Sequence, residues 1–236
     1  VSENTAASLK FKFPKFTWRR LLLWSGCTLV GIWLFFALML VALRFINPPT
    51  TAVHVERRIS AWFHGKPYTS HYNFIPLRDI SPNLQHAVIA AEDGRFYQHH
   101  GFDWQAIQLA AEEDMEGGKR FRGGSTITQQ LVKNLFFGTS RSYVRKAAET
   151  TLVPVAELVL GKERILELYL NVVEWGPGVY GADAACRYHF KASARTIVRE
   201  QAAELAAVLP LPLKRKPERM AHYRGIILDH MAQMGW

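Results

Sequence analysis

Two cysteines in 236 residues leave no room for a disulfide framework, since Cys27 lies inside a long apolar run and Cys186 stands alone after it. Stability therefore has to come from a packed core. Nothing in "AACRYHF" activates a thiol, so Cys186 reads as a small buried apolar residue rather than a nucleophile. Other absences narrow the chemistry. "GGSTITQQ" lacks the GK[ST] ending of a phosphate-cradling loop, which argues against nucleotide binding. No G-x-S-x-G elbow surrounds Ser125, so a serine triad has no support there. His99 and His100 have no third ligand at a convincing spacing, and zinc is set aside. Nucleic-acid-binding signatures are missing as well. Strand signals are few and short, and neither an internal repeat nor a low-complexity tract occurs, so the expected fold is mainly α.

Apolar residues, in contrast, make up 49 % of the chain, which excludes global disorder. Residues 21–43, "LLLWSGCTLVGIWLFFALMLVAL", form an uncharged run that would be about 34 Å long as a helix, the thickness of a bilayer's hydrocarbon core. A cleaved signal peptide would have a shorter apolar region ending at small residues, whereas this run continues to Arg44. One uncleaved transmembrane helix is expected. Lys10, Lys12, Lys15, Arg19 and Arg20 precede it and Arg44 alone follows closely, which puts the tail of residues 1–20 in the cytoplasm and residues 44–236 outside. The tail accounts for four of the nine excess positive charges, leaving five on the exported part. On a domain tethered to a membrane, that excess suits anionic headgroups or a phosphorylated lipid better than nucleic acid.

Residues 44–80, with Pro48, Pro49, Pro67 and Pro76, are poorly periodic and read as a juxtamembrane linker; the main domain is expected over 81–236. "SPNLQHAVIAAED" has Ser81 as a cap and Pro82 at the first helical position, with Leu84, Val88 and Ala91 on one face. A second helix should follow Asp103 as cap. The glycine-rich basic stretch "MEGGKRFRGGS" is expected to be a mobile loop. "STITQQLVKNLFF" opens with Thr126 and Gln129 in a reciprocal capping pattern. "SYVRKAAETTLVPVAELVL" is a helix that Pro154 should kink or restart, and "KERILELYLNVVEW" a further one closed by "GPG" at 176–178. Two C-terminal helices complete the set.

Candidate chemistry starts at "AAEDGRFYQHHGFD". For an arbitrary glutamate the plain reading is a surface acid at a helix end. Here Glu92 and Asp93 end the apolar run "AVIAA", so one carboxylate is expected against apolar surface, where desolvation raises its pKa toward that of a general acid or base. Asp93 would orient its neighbour or cap the turn, and His99 would be a hydrogen-bonding residue beside a tight turn at Gly101. Glu149 has an ordinary reading as an exposed partner of Arg145. Against it, Lys133, Arg141 and Arg145 recur at spacings of eight and four, so that two consecutive helices can direct cations to one spot. Such a cluster suits a diphosphate leaving group, whose charge needs several donors or a divalent cation.

"EDGRFYQHHG", "GGSTITQQLVKN", "RKAAE" and "KERILELYLN", in that order over roughly residues 75–215, make the chain resemble the monofunctional biosynthetic peptidoglycan glycosyltransferases, relatives of the glycosyltransferase domain of class A penicillin-binding proteins. These 236 residues contain no S-x-x-K and K-T-G set, so the resemblance is to the stand-alone enzyme. It implies a lysozyme-like helical head lobe and a smaller mobile lobe at the membrane, to which "EGGKRFRGG" would belong. The implied substrate is lipid II and the product a β-1,4 glycan made by inverting transfer with release of undecaprenyl diphosphate. In this resemblance Glu92 is the base, Glu149 assists the leaving diphosphate and would hold Mg²⁺ or another divalent cation, and Lys133, Arg141 and Arg145 contact phosphate. Asp93, Ser125, Gln129 and Gln130 line the cleft. Lipid II, the nascent glycan, membrane lipid and cell-wall synthesis or division proteins are the implied partners, with no nucleic acid, and the implied location is the inner membrane with a periplasmic catalytic domain. A lytic transglycosylase or muramidase is the rival reading, but it has no use for the cation cluster. A non-catalytic anchored scaffold would leave both acids replaceable.

Overall fold

The structure, a computed structural model, describes residues 18–115, 124–140 and 142–236. The chain divides into two compact units between Phe35 and Phe36. The first contains most of helix α1 (Trp18–Leu43), which is long and apolar enough to cross a membrane. Its apolar side chains are exposed, Leu22, Trp24 and Leu29 among them, a surface compatible with a lipid surrounding.

The second unit is mainly helical, as expected: α2 (Ala52–Phe63), α3 (Pro82–Glu92), α4 (Trp104–Met115), α5 (Ile127–Val132), α6 (Tyr143–Val172), α7 (Ala182–Phe190), α8 (Arg199–Ala206) and α9 (Ala221–Gln233). A small sheet joins β1 (His71–Tyr72), β2 (Glu174–Gly176) and β3 (Val179–Tyr180) in the order β1-β3-β2, the first pair parallel and the second antiparallel with a bulge. α3 packs on α8 and α9, and α5 on α6. Between them lies a continuous core that contains Trp175, Tyr169 and Phe96, and Tyr180 on β3 is fully buried as well; these are the largest fully buried side chains among the described residues.

Three features differ from the sequence reading. Residues 44–80 are not merely irregular, because Thr51 caps α2 by accepting the His54 N–H, and the helix packs on the segment after α5. Its apolar stripe hides from a burial argument, since Val53 and His54 are the buried positions while Val55, Ile59, Trp62 and Phe63 are exposed. In α6 the backbone leaves helical geometry at Gly161 (φ 73°, ψ 164°), so the two helices anticipated on either side of "LG" are present, and the helix does not restart at Pro154, which lies inside the first of them. The helix expected through "LVKNLFF" changes character at Lys133, where residues Lys133–Phe137 form a π turn closed by Gly138. Such widened turns sit at functional sites more often than chance would place them.

The motif "KERILELYLN" ties the unit together. Arg164 donates to the carbonyls of Leu43 (2.9 Å) and Ile46 (3.0 Å) and to the Asn47 side chain (2.9 Å), satisfying acceptors left at the end of α1. Glu167 accepts the Leu77 N–H at 2.8 Å. Asn171, fully buried, exchanges both of its amide groups with the backbone of Ile75 at 2.9 Å each. The chain before α3 is thereby fixed against α6.

Candidate active site

Glu92 is the last residue of α3, and Asp93 is its extended C-cap. The two adjacent carboxylates have opposite surroundings. Asp93 is buried, with one oxygen 2.8 Å from His99 Nε2 and the other accepting the Ile127 N–H at 3.0 Å, at the first turn of α5. His99 in turn accepts the Gly101 N–H at Nδ1 (3.1 Å), which leaves its proton on Nε2, pointing at Asp93. Gly101 is required there. Its φ is +93°, and an added Cβ would lie 2.5 Å from Val153 Cγ1. Its carbonyl accepts from the Thr126 hydroxyl at 2.7 Å, and Thr126 forms the expected capping box with Gln129. Asp93, His99, Gly101 and Thr126 thus fasten the end of α3 to the start of α5.

Glu92 lies at the wall of a cavity of about 330 Å³, shared with Asp93, Arg95, Gln105, Ser125 and the apolar side of α4. Its carboxylate accepts one hydrogen bond, from Gln130 Nε2 at 2.7 Å. Burial pushes its pKa up, the Asp93 charge adds to this, and the Gln130 donor with Lys133 and Arg215 opposes it. Across the same wall, Asp103 caps α4 through the Ala106 N–H (2.7 Å) and pairs with Arg95, whose hydrogen bond holds it below the usual carboxylate range.

The second acid is no exposed pair partner. Glu149 is 1 % exposed, and its oxygens accept from Arg145 Nη1 (3.0 Å) and Lys146 Nζ (2.6 Å). Lys133, on the π turn, senses Glu149 and Glu92 at once; burial lowers its pKa, Arg145 and Lys146 reinforce this, and the two acids oppose it. It makes no ion pair within 4.0 Å among the described residues, and the Nε of Arg145 is buried without a partner. Two donors are therefore held in reserve next to a neutralised acid. α2 holds this turn in place through Glu56, which accepts the Thr139 N–H at 2.6 Å.

These bonds decide whether Glu149 suits a divalent cation. Both of its oxygens are taken by cationic side chains, so a metal would have to displace them, and the geometry does not favour one there. Asp93, His99 and Asp103 bring their ligand atoms within 4.8 Å of one another, but the bonds just described already engage all three.

The structure therefore brings together Glu92, Asp93, Ser125, Gln129 and Gln130 around the α3–α5 junction, and Lys133, Arg145 and Glu149 beside it. Gln129 serves the cap, and Ser125 is exposed in the cavity wall. Arg141 and the loop of residues 116–123 lie outside the described residues. Sequence reasoning missed Arg215, which acts on Glu92 from the C-terminal segment while donating to the Ala207 carbonyl (2.8 Å) and lying over the Tyr223 ring (4.5 Å). No local pattern in "PLPLKRKPE" singles it out.

A helical domain with a desolvated glutamate in a cavity and a second acid ringed by cations has the groups that acid–base chemistry beside an anionic ligand requires. The family model described as Transglycosylase matches residues 58–232, and the chain belongs to that family. It is 45 % identical over 220 residues to the biosynthetic peptidoglycan transglycosylase of Pseudomonas entomophila strain L48, covering 92 % of this chain and 90 % of that protein. The proteins of the same name from Pseudomonas putida strain F1 and Pseudomonas fluorescens strain SBW25 are 46 % and 48 % identical over 201 and 202 residues, covering 84 % of this chain and 85 % and 84 % of theirs.

Proposed function

We propose that the chain is a membrane-anchored peptidoglycan glycosyltransferase that joins lipid II units into β-1,4 glycan, with its tail in the cytoplasm and its catalytic unit outside the inner membrane. The observation that carries the reading is the pairing of Glu92, desolvated at a cavity wall, with the Lys133–Arg145–Lys146 group around Glu149. The relatives' names support a biosynthetic rather than a lytic reaction.

In the proposed step the acceptor's 4-hydroxyl oxygen attacks the donor's anomeric carbon from the face opposite the diphosphate. The new C–O bond forms as the anomeric carbon–phosphate oxygen bond breaks, which inverts the configuration. Glu92 takes the hydroxyl proton, and burial raises its basicity for that task. The departing diphosphate gathers negative charge, which Lys133 and the free Nε of Arg145 meet in a site of low dielectric. Glu149 keeps Arg145 and Lys146 aimed rather than binding the substrate itself. Mg²⁺, where it takes part, is proposed to arrive on the diphosphate, an oxygen-rich ligand for a hard cation.

The test is incubation of the detergent-solubilised full-length protein with fluorescent lipid II. Muramidase-sensitive polymer is expected. Shortening of preformed glycan with no polymer would overturn the reading. In the same assay Lys133→Ala should weaken binding of the diphosphate-linked donor by ten- to a hundredfold, on the order expected for a charge-assisted contact, and affect a soluble sugar without diphosphate far less.

A further inference from the structure

Tyr169, within "KERILELYLN", connects to Glu92 through the Gln130 amide. It is fully buried, and its hydroxyl donates to Gln130 Oε1 at 2.9 Å, while Nε2 of the same amide donates to Glu92 at 2.7 Å. A primary amide offers donors at one end and an acceptor at the other, and turning it over exchanges the two. If the Gln130 amide were reversed, its oxygen would face the Glu92 carboxylate, and two acceptors would meet at hydrogen-bond distance unless Glu92 carried a proton. The Tyr169 hydroxyl disfavours that state, because its proton needs the Oε1 acceptor. Burial, with Glu92 and Asp93 nearby, keeps the phenol protonated well above its usual range, so the donor persists at any working pH.

We infer that Tyr169 is a positioning residue that fixes the orientation of the Gln130 amide and so keeps an N–H directed at the Glu92 carboxylate. The inference rests on Glu92 being the base. Gln130 from α5, Lys133 from the π turn, Arg215 from the C-terminal segment and the adjacent Asp93 all act on that carboxylate. Burial raises the Glu92 pKa, and the other charged groups do not change when Tyr169 loses its hydroxyl. Removing the hydroxyl therefore acts on the one neutral donor. The Glu92 pKa rises further, and less of the enzyme is in the basic form at neutral pH.

The experiment is the pH dependence of kcat/KM for lipid II polymerisation by full-length wild type, Tyr169→Phe, Gln130→Leu, the double variant and Glu92→Gln. Tyr169→Phe should move the acidic limb to higher pH by about one unit, because a Gln130 amide no longer held by the hydroxyl can reverse and accept from protonated Glu92, a gain of about one hydrogen bond for that form. The loss is then about tenfold on that limb and vanishes on the alkaline plateau. Gln130→Leu should shift the limb at least as far, and adding Tyr169→Phe to it should shift the limb no further, because the hydroxyl acts only through the amide. An unmoved limb, a loss equal at every pH, or a shift that adds to that of Gln130→Leu would overturn the inference. Wild-type rates from Glu92→Gln would instead overturn the base assignment beneath it, an outcome that does not depend on Tyr169.

Discussion

At the scale of single residues, the site works by giving like groups unlike surroundings. Asp93 receives two protein donors and becomes a fastening, while its neighbour Glu92 receives one and is left basic beside a cavity. That division was half legible in the sequence. Two acids closing an apolar run announce a carboxylate against apolar surface, but which of them is spent on structure depends on His99 and Ile127, which only the fold delivers. Tyr169 and Arg215 were invisible for the same reason: Tyr169 meets Gln130 across 39 positions of sequence. His54 gives a prediction at this scale. Burial lowers its pKa to about 4, with Val172 and Arg58 as lesser influences, so the folded protein holds it neutral. Its contribution to stability is fully present above the unfolded value of about 6.5 and is lost as pH falls toward 4. The melting temperature of the wild type should decline across that window, and the decline should be shallower in His54→Phe.

At the scale of elements, the capped helices were the readable part. Ser81 before Pro82, the Thr126–Gln129 box and Asp103 before α4 all appear where their side chains predict. Two interruptions were less readable, because each depends on a contact with another element. The π turn at Lys133–Phe137 forms between α5 and α2, and Glu56 on α2 completes it by accepting the Thr139 N–H. Helix α6 runs through Pro154 and leaves helical geometry at Gly161, whose positive φ a larger residue rarely adopts. The junction of α3 and α5 offers a sharper test. Gly101→Ala would strain a φ of +93° and press a methyl group against Val153. A loss of roughly 1–3 kcal/mol is expected, measurable as a lowered denaturation midpoint, with His99 no longer held.

At the scale of the whole molecule, a mainly helical unit and one long apolar helix were legible in the sequence, but not how the second unit holds its own N-terminal residues. Arg164 provides the grip, with hydrogen bonds to residues 43, 46 and 47. This bond set lies within the second unit and closes its N-terminal end. Arg164→Ala should cost roughly 1 kcal/mol, the net worth of an ordinary hydrogen bond, since water can reach the Ile46 and Asn47 acceptors, and hydrogen exchange at the amides of Arg44 and Ile46 should quicken while those around Glu92 stay protected. Equal acceleration in both regions would show Arg164 to be a general core residue instead.

If Glu92 takes the acceptor's proton, the polymerisation rate of Glu92→Gln at saturating lipid II, with donor binding measured on the same preparation, should reveal it. Gln keeps the size of the side chain and can still accept from Gln130, so folding and donor binding should be unchanged while the rate falls by about 10²–10⁴, the range for a lost general base. A rate within a few-fold of wild type would contradict the claim and move the search for the base elsewhere in the cavity.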